Sequence, residues 1–137
     1  MAGIRTAIPS DVPDLVAIMA QTPWEKTAFL TAAVINDEVA AIDEGAGAIA
    51  FVAWNREFFG KPFVWLVAVA AHARRQGLAT LLLAHVEQAC RGTRVYTSTN
   101  ASNAAMHALL FKQGYVRRGE LDLDPGDPEI FYAKDVP

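Results

Sequence analysis

Residues 62–83 pass from an apolar run, through a short basic loop, into a run of helix formers, and this succession narrows the possible architectures sharply. Phe63 to Val69 is apolar at every position, which predicts a central strand covered on both faces. From Leu78 the spacing of Leu78, Leu81, Leu82, Val86 and Ala89 predicts a helix to about Cys90 with those residues turned inward. A strand that feeds a helix start through so short a loop directs the first helical N–H groups outward. Those groups lack intrahelical acceptors and carry the positive end of the dipole, so they suit an anion. Gly77 and Ala79 are small enough for a phosphate to approach the amides, and Arg74 and Arg75 add positive charge beside them. The segment is thus expected to cradle a pyrophosphate. No Gly-x-x-x-x-Gly-Lys-Ser/Thr occurs in the chain, and no Gly-x-Gly-x-x-Gly follows a strand, which sets aside a P-loop nucleoside triphosphatase and a Rossmann dehydrogenase.

The rest of the chain alternates strands and helices in an α/β order. Ile4 to Ile8 reads as a short strand, and Ser10 or Asp11 as the cap of a helix carrying Val12, Leu15, Val16 and Met19. Thr22-Pro23-Trp24-Glu25 reads as a capping box that opens a second helix to about Val34. Val39 to Ile42 and Ala48 to Trp54 are expected to form an antiparallel hairpin. After the central helix, Gly92 is a stop, Val95 to Thr99 a strand, Asn103 to Lys112 a helix and Gly114 its stop. Tyr115 to Leu121 and Ile130 to Lys134 complete a last hairpin around a turn-rich stretch, Asp122 to Glu129.

At 137 residues the chain fits one domain, and no linker or repeat divides it, so residues 1–137 are expected to form a single domain. A net charge of -3 and a pI near 5.5 argue against a nucleic-acid partner. Arg117 with Arg118 reads as the solvated edge of a strand. The longest apolar run, Pro62 to Ala71, is about half of a membrane span, and the N-terminal Met-Ala-Gly-Ile-Arg-Thr lacks a hydrophobic signal region. Neither membrane insertion nor secretion is expected. Cys90 is the single cysteine, so no internal disulfide can form and a cytoplasmic location is expected. Its helical context suits a buried thiol rather than a nucleophile.

The pattern Arg74-x-x-Gly77-x-Ala79 resembles the acyl-coenzyme A loop of the GCN5-related N-acetyltransferases, the GNAT family, and the resemblance spans nearly the whole chain. It includes the Ile4-Arg5-x-Ala7 opening with Asp11. It also includes Asn103, the helical residues Met106, Leu109 and Leu110, and Gly114-Tyr115 eleven positions after the asparagine. The resemblance implies a mixed, mostly antiparallel central sheet flanked by helices. It implies transfer of an acetyl or other acyl group from acetyl-CoA to an amine of a small molecule or peptide, by direct attack on the thioester. For cofactor binding it implies the strand backbone at Val67, Ala68 and Val69, and the loop and helix start Arg74, Arg75, Gln76, Gly77, Leu78, Ala79 and Thr80. The Asn103 side chain would meet the pantetheine arm, with an ordinary helix cap as its alternative.

The chain departs from the family pattern at the proton donor. Many members carry a tyrosine seven residues after that asparagine, where Leu110 stands here. Tyr96, Tyr115 and Tyr132 are the remaining phenols, each with a packing role as its alternative, and no acid is assigned. Among the bases, His85 and His107 fall within helices, and His72 precedes the phosphate loop. None shows metal-ligand spacing with Cys90 or a carboxylate, so no metal site is expected. The family's acceptor wall would fall at Gln21 to Trp24, Asn55 to Lys61 and Asp122 to Glu129. Asp122, Asp124, Asp127 and Glu129 would attract a cationic amine or simply solvate a turn. Trp24, Phe58 and Phe59 would line the acceptor, pack in the core or support a homodimer. The missing acid keeps a second reading open, a non-catalytic acyl-CoA-binding or regulatory module of the same fold.

Overall fold

The computed structural model describes residues 3–20 and 26–137. Seven strands form one sheet: β1 Ile4–Thr6, β2 Val39–Asp43, β3 Ala48–Phe58, β4 Lys61–Val69, β5 Thr93–Asn100, β6 Val116–Leu121 and β7 Glu129–Val136. Four α-helices accompany it: α1 Val12–Met19, α2 Thr27–Ile35, α3 Leu78–Ala89 and α4 Ala104–Lys112. The strand order is β1-β2-β3-β4-β5-β7-β6. β4 and β5 run parallel, while β1–β2, β2–β3, β5–β7 and β6–β7 pair antiparallel. This is the mixed, mostly antiparallel α/β arrangement expected. The capping box at Thr22 to Glu25 lies outside the described residues, and α2 begins at Thr27 within them.

The chain divides into two compact units, Met1–Trp54 with Leu66–His85, and Asn55–Trp65 with Val86–Pro137. The first has its core where α1 and α2 meet the sheet. Leu15, Leu30, Ala33, Val34, Phe51 and Ala53 are buried together there, with Leu66, Ala68 and Ala70 packed against them. A charged cluster pins β1 beside the start of α1. Arg5 donates from Nη1 to Asp11 Oδ2 at 2.7 Å, and from Nη2 to Asp11 Oδ1 at 2.8 Å and to Asp43 Oδ2 at 2.7 Å. Asp11 is therefore not the forward helix cap expected. Its side chain makes no capping bond to α1 and instead accepts from the Ile8 N–H at 2.8 Å, because the Arg5 guanidinium holds it facing back over β1.

The second unit is built on the β5–β7–β6 ladder. β6 is exposed along its whole length and lies at the sheet edge, so Arg117 and Arg118 are edge residues, and Arg117 pairs with Glu120 at 2.6 Å. Buried Thr97 donates its hydroxyl to Val64 O at 2.9 Å beside the short parallel ladder Phe63↔Tyr96 and Val64↔Thr97. Gly114 at φ 88° stops α4, and the following N–H of Tyr115 donates to Leu110 O at 2.9 Å.

Two readings of the central segment need correction. On α3 the buried residues are Leu78, Leu82, Leu83 and Val86, followed by Cys90, whereas Leu81 is 48% exposed and Ala89 is exposed. Alanine and leucine at adjoining positions allow either stripe, and the turn after Gly77 sets which one faces inward. On β4 only Pro62 to Val64 are buried; Trp65 is exposed and Leu66 to Val69 are half-exposed. Apolar composition alone overstated how completely this strand is covered.

Candidate active site

The phosphate-loop candidate belongs to the first unit. β4 runs into a single 3-10 turn, Ala71–Ala73, closed by Ala73 N–H to Ala70 O at 2.9 Å. The chain then turns left-handed twice, at Arg75 (φ 66°) and at Gly77 (φ 75°). A positive φ is unusual for arginine and natural for glycine. At the start of α3 the Leu81 N–H donates to Gly77 O at 3.1 Å. A Cβ placed on Gly77 would meet no protein atom within 4 Å. Arg74, Arg75, Gln76 and Gly77 are exposed, Ala79 and Thr80 half-exposed and Leu78 buried. Arg74 Nε donates to Val69 O at 3.3 Å, which ties the loop to the end of β4 and occupies one lone pair of that carbonyl. His72 is 68% exposed and lies 3.8 Å from Glu44.

Asn103, in the second unit, is the N-cap of α4: its Oδ1 accepts from the Met106 N–H at 3.2 Å. One turn later His107 is held at both ring nitrogens. Nδ1 lies 2.6 Å from Tyr132 Oη, and Nε2 lies 3.0 Å from Asn100 O. A carbonyl only accepts, so Nε2 carries a proton. In the neutral ring Nδ1 is then the acceptor, and the Tyr132 hydroxyl donates to it. Leu110, one more turn along, is fully buried.

The three tyrosines have different surroundings. Tyr115 is buried and donates to Glu87 Oε2 at 3.0 Å; burial, with the Glu87 charge beside it, pushes its phenol well above the ordinary range. Tyr96 belongs to an aromatic face with Phe58, whose ring centroid is 5.7 Å away. Tyr132 remains half-exposed with its hydroxyl on a histidine. The histidine link was not visible in sequence, because residues 107 and 132 are brought together only by the packing of α4 on β7. Cys90 is buried, and burial raises its thiol above the usual value, opposed by the charge of Arg56.

Of the acceptor-wall segments, Gln21 to Trp24 lies outside the described residues. Asn55 to Lys61 is mostly strand rather than loop: β3 and β4 are joined through Phe59 (φ 52°) and Gly60 (φ 75°), the two-residue turn whose twist matches paired strands. Phe58 packs against Phe63, Tyr96 and Phe131, and Phe59 is 86% exposed. In the last hairpin three carboxylates hold the turn against the end of β5. Asp127 accepts from the Ser102 amide and hydroxyl at 2.9 and 2.7 Å, Asp124 from Asn100 Nδ2 at 3.4 Å, and Glu129 from Ser98 Oγ at 2.7 Å. Among the described residues no group of three or more His, Cys, Asp and Glu side chains converges as a metal site would require. No helix among them is long and apolar enough to cross a membrane.

The model of the Acetyltransferase (GNAT) family matches residues 10–115. Among curated protein sequences there is no match. Several solved structures share the fold. A GNAT-family acetyltransferase from Bacillus cereus is 24% identical, with a TM-score of 0.86 over 100% of this chain and 99% of that one. Ard1 from Thermoplasma volcanium is 16% identical, with a TM-score of 0.89 over 99% and 98%. Naa50 from Arabidopsis thaliana, in complex with the bisubstrate analogue CoA-Ac-MVNAL, is 15% identical with a TM-score of 0.80 over 98% of each chain.

Proposed function

The chain belongs to the acetyltransferase (GNAT) family and is an N-acetyltransferase with acetyl-CoA as acyl donor, and on that premise we propose that it binds acetyl-CoA on the turn around Gly77 and transfers the acetyl group to the amine of a peptide or small molecule. The observation that carries the site assignment is the double left-handed turn at Arg75 and Gly77 ahead of α3, with open space over the Gly77 position. This arrangement fits a pyrophosphate. Amides from Arg75 to Thr80 donate to its oxygens, and the arginines neutralise its charge. Val67, Ala68 and Val69 are half-exposed residues of β4, and their backbone would pair with the pantetheine amides as an added strand would. Asn103 spends Oδ1 on its cap, so its contribution to the cofactor is the side-chain NH2.

The acceptor nitrogen attacks the thioester carbonyl carbon, and a strand N–H beside that carbonyl stabilises the oxyanion as it forms. The same reading takes residues 1–137 as a single acetyltransferase domain, because β3, β4 and α3 each contribute residues to both units. It also takes the chain as cytoplasmic and free of nucleic acid, in keeping with its acidic pI. Exposed Phe59 and Trp65 on the aromatic face suit a homodimer contact, which sedimentation would test. The site assignment is tested by calorimetry. Gly77→Val should abolish most acetyl-CoA affinity while the protein stays folded, and an unchanged dissociation constant would remove this loop from the site.

A further inference from the structure

We propose that β6 is the seam along which two copies of this chain pair, edge to edge and antiparallel; the inference rests on the homodimer reading and locates its contact. β6 lies at the end of the sheet order and is exposed along its whole length. Such an edge offers unpaired N–H and C=O groups to another strand, and charge on it ordinarily repels one. On β6 the charge is selective. The strand reads Val116-Arg117-Arg118-Gly119-Glu120-Leu121. Set antiparallel against itself about a two-fold axis between residues 118 and 119, it places Val116 opposite Leu121 of the second copy, Arg117 opposite Glu120 and Arg118 opposite Gly119. Apolar residues meet at the ends, unlike charges meet inside them, and Arg118 faces the one residue that has no side chain. By symmetry each contact occurs twice.

Opposed residues of an antiparallel pair share a face, and in a regular strand residues three apart do not. The irregularity of β6 between Arg117 and Gly119 removes that obstacle. Arg117 lies opposite Tyr132 on β7 and Glu120 opposite Ile130. Positions 130 and 132 share a face, so Arg117 and Glu120 do too, and within one chain they pair at 2.6 Å. Val116, opposite Ala133, and Leu121, opposite Glu129, share the other face. That face is apolar. Phe131 lies on it with its ring 6.0 Å from Phe58 and 6.3 Å from Phe63. Val116 and Leu121, 52% and 51% exposed, carry the apolar row to the edge. The helical residues of this unit meet the opposite face, His107 on Tyr132 and Glu87 on Lys134. A second copy at β6 continues the sheet, covers Val116 and Leu121, and exchanges two exposed ion pairs within chains for two between them.

The test is sedimentation velocity over a concentration series, with circular dichroism to check folding. Wild-type protein should dimerise, and its dissociation constant should rise with sodium chloride, since exposed pairs are screened. Arg117→Glu sets two carboxylates against each other at both places in the seam, and Glu120→Arg sets two guanidinium groups there. Each variant alone should raise the dissociation constant about tenfold or more. Mixed together, the two should dimerise again, because each presents the charge the other needs. Neither regains its own intrachain pair in the mixture, so the recovery comes from contact between copies. A mixture that stays monomeric overturns the seam. So does a dimer whose dissociation constant shifts by less than about twofold in both single variants; loss of dimer in Phe59→Ser would then place the contact on the aromatic turn instead. Should one variant not fold, the salt series decides, and a wild-type dimer indifferent to salt overturns the seam. Failure of the homodimer reading looks different: the wild type is then monomeric throughout the series, and the seam falls with it.

Discussion

Asp11 shows how much of the first unit depends on one charged contact. The Arg5 guanidinium holds the Asp11 carboxyl below the ordinary carboxylate range, with the Ile8 N–H adding to the effect and burial opposing it; Arg5 lowers Asp43 in the same way. The folded protein therefore holds these carboxylates ionised where the unfolded chain, with an aspartate pKa of about 3.9, already takes up protons. Their stabilisation is fully present above about pH 5 and is lost as pH falls through about 4 toward the lower folded values. Urea unfolding at a series of pH values should show that loss, and Arg5→Ala should flatten it. At neutral pH, Arg5→Ala should cost about 2 kcal/mol, less than the roughly 3–5 kcal/mol of a fully buried pair, because the Arg5 side chain is 37% exposed. A second residue-scale expectation follows from Cys90. Its buried thiol, raised by burial, should react with an aromatic disulfide reagent slowly in the native protein and fully in denaturant. Rapid native labelling would contradict its burial.

The two elements that begin α3 and α4 make separable predictions, because each start has a structural duty and a proposed ligand duty. At Gly77 no protein atom opposes a Cβ, so Gly77→Ala should cost only the left-handed backbone strain at φ 75°, about 1–2 kcal/mol. Its loss of acetyl-CoA affinity should be larger, since the methyl group would occupy space assigned to phosphate. At α4, Asn103→Ser preserves a capping oxygen for the Met106 N–H and removes the side-chain amide. Stability should change by less than about 0.5 kcal/mol, while calorimetry should show affinity weakened by about 1 kcal/mol, one ordinary hydrogen bond. These loops were legible in sequence because Gly77, Gly92 and Gly114 mark left-handed turns and apolar spacing marks the helices between them. The face that α3 buries was not legible, since Leu81, Leu82 and Leu83 are chemically equivalent until packing chooses among them. The Asp127 clamp on Ser102 and the Tyr132–His107 contact were hidden for a related reason: each joins residues 25 apart, and local pattern carries no information on which distant polar partners meet.

At the scale of the molecule, the residues proposed for the pyrophosphate, Arg74 to Thr80, lie within the first compact unit. Acetyl-CoA bound only to the native state should stabilise by about 2.7 kcal/mol at a free concentration of about 100 Kd, a rise in melting temperature on the order of 10 °C for a chain of this size. Dephosphorylated pantetheine, which lacks the pyrophosphate, should give a much smaller shift. In Gly77→Val the two ligands should become nearly equivalent, as the pyrophosphate would have lost its amides. Scanning calorimetry with both ligands on both proteins checks this, and an equal wild-type shift from pantetheine and acetyl-CoA would mean that the Gly77 turn contributes nothing to binding.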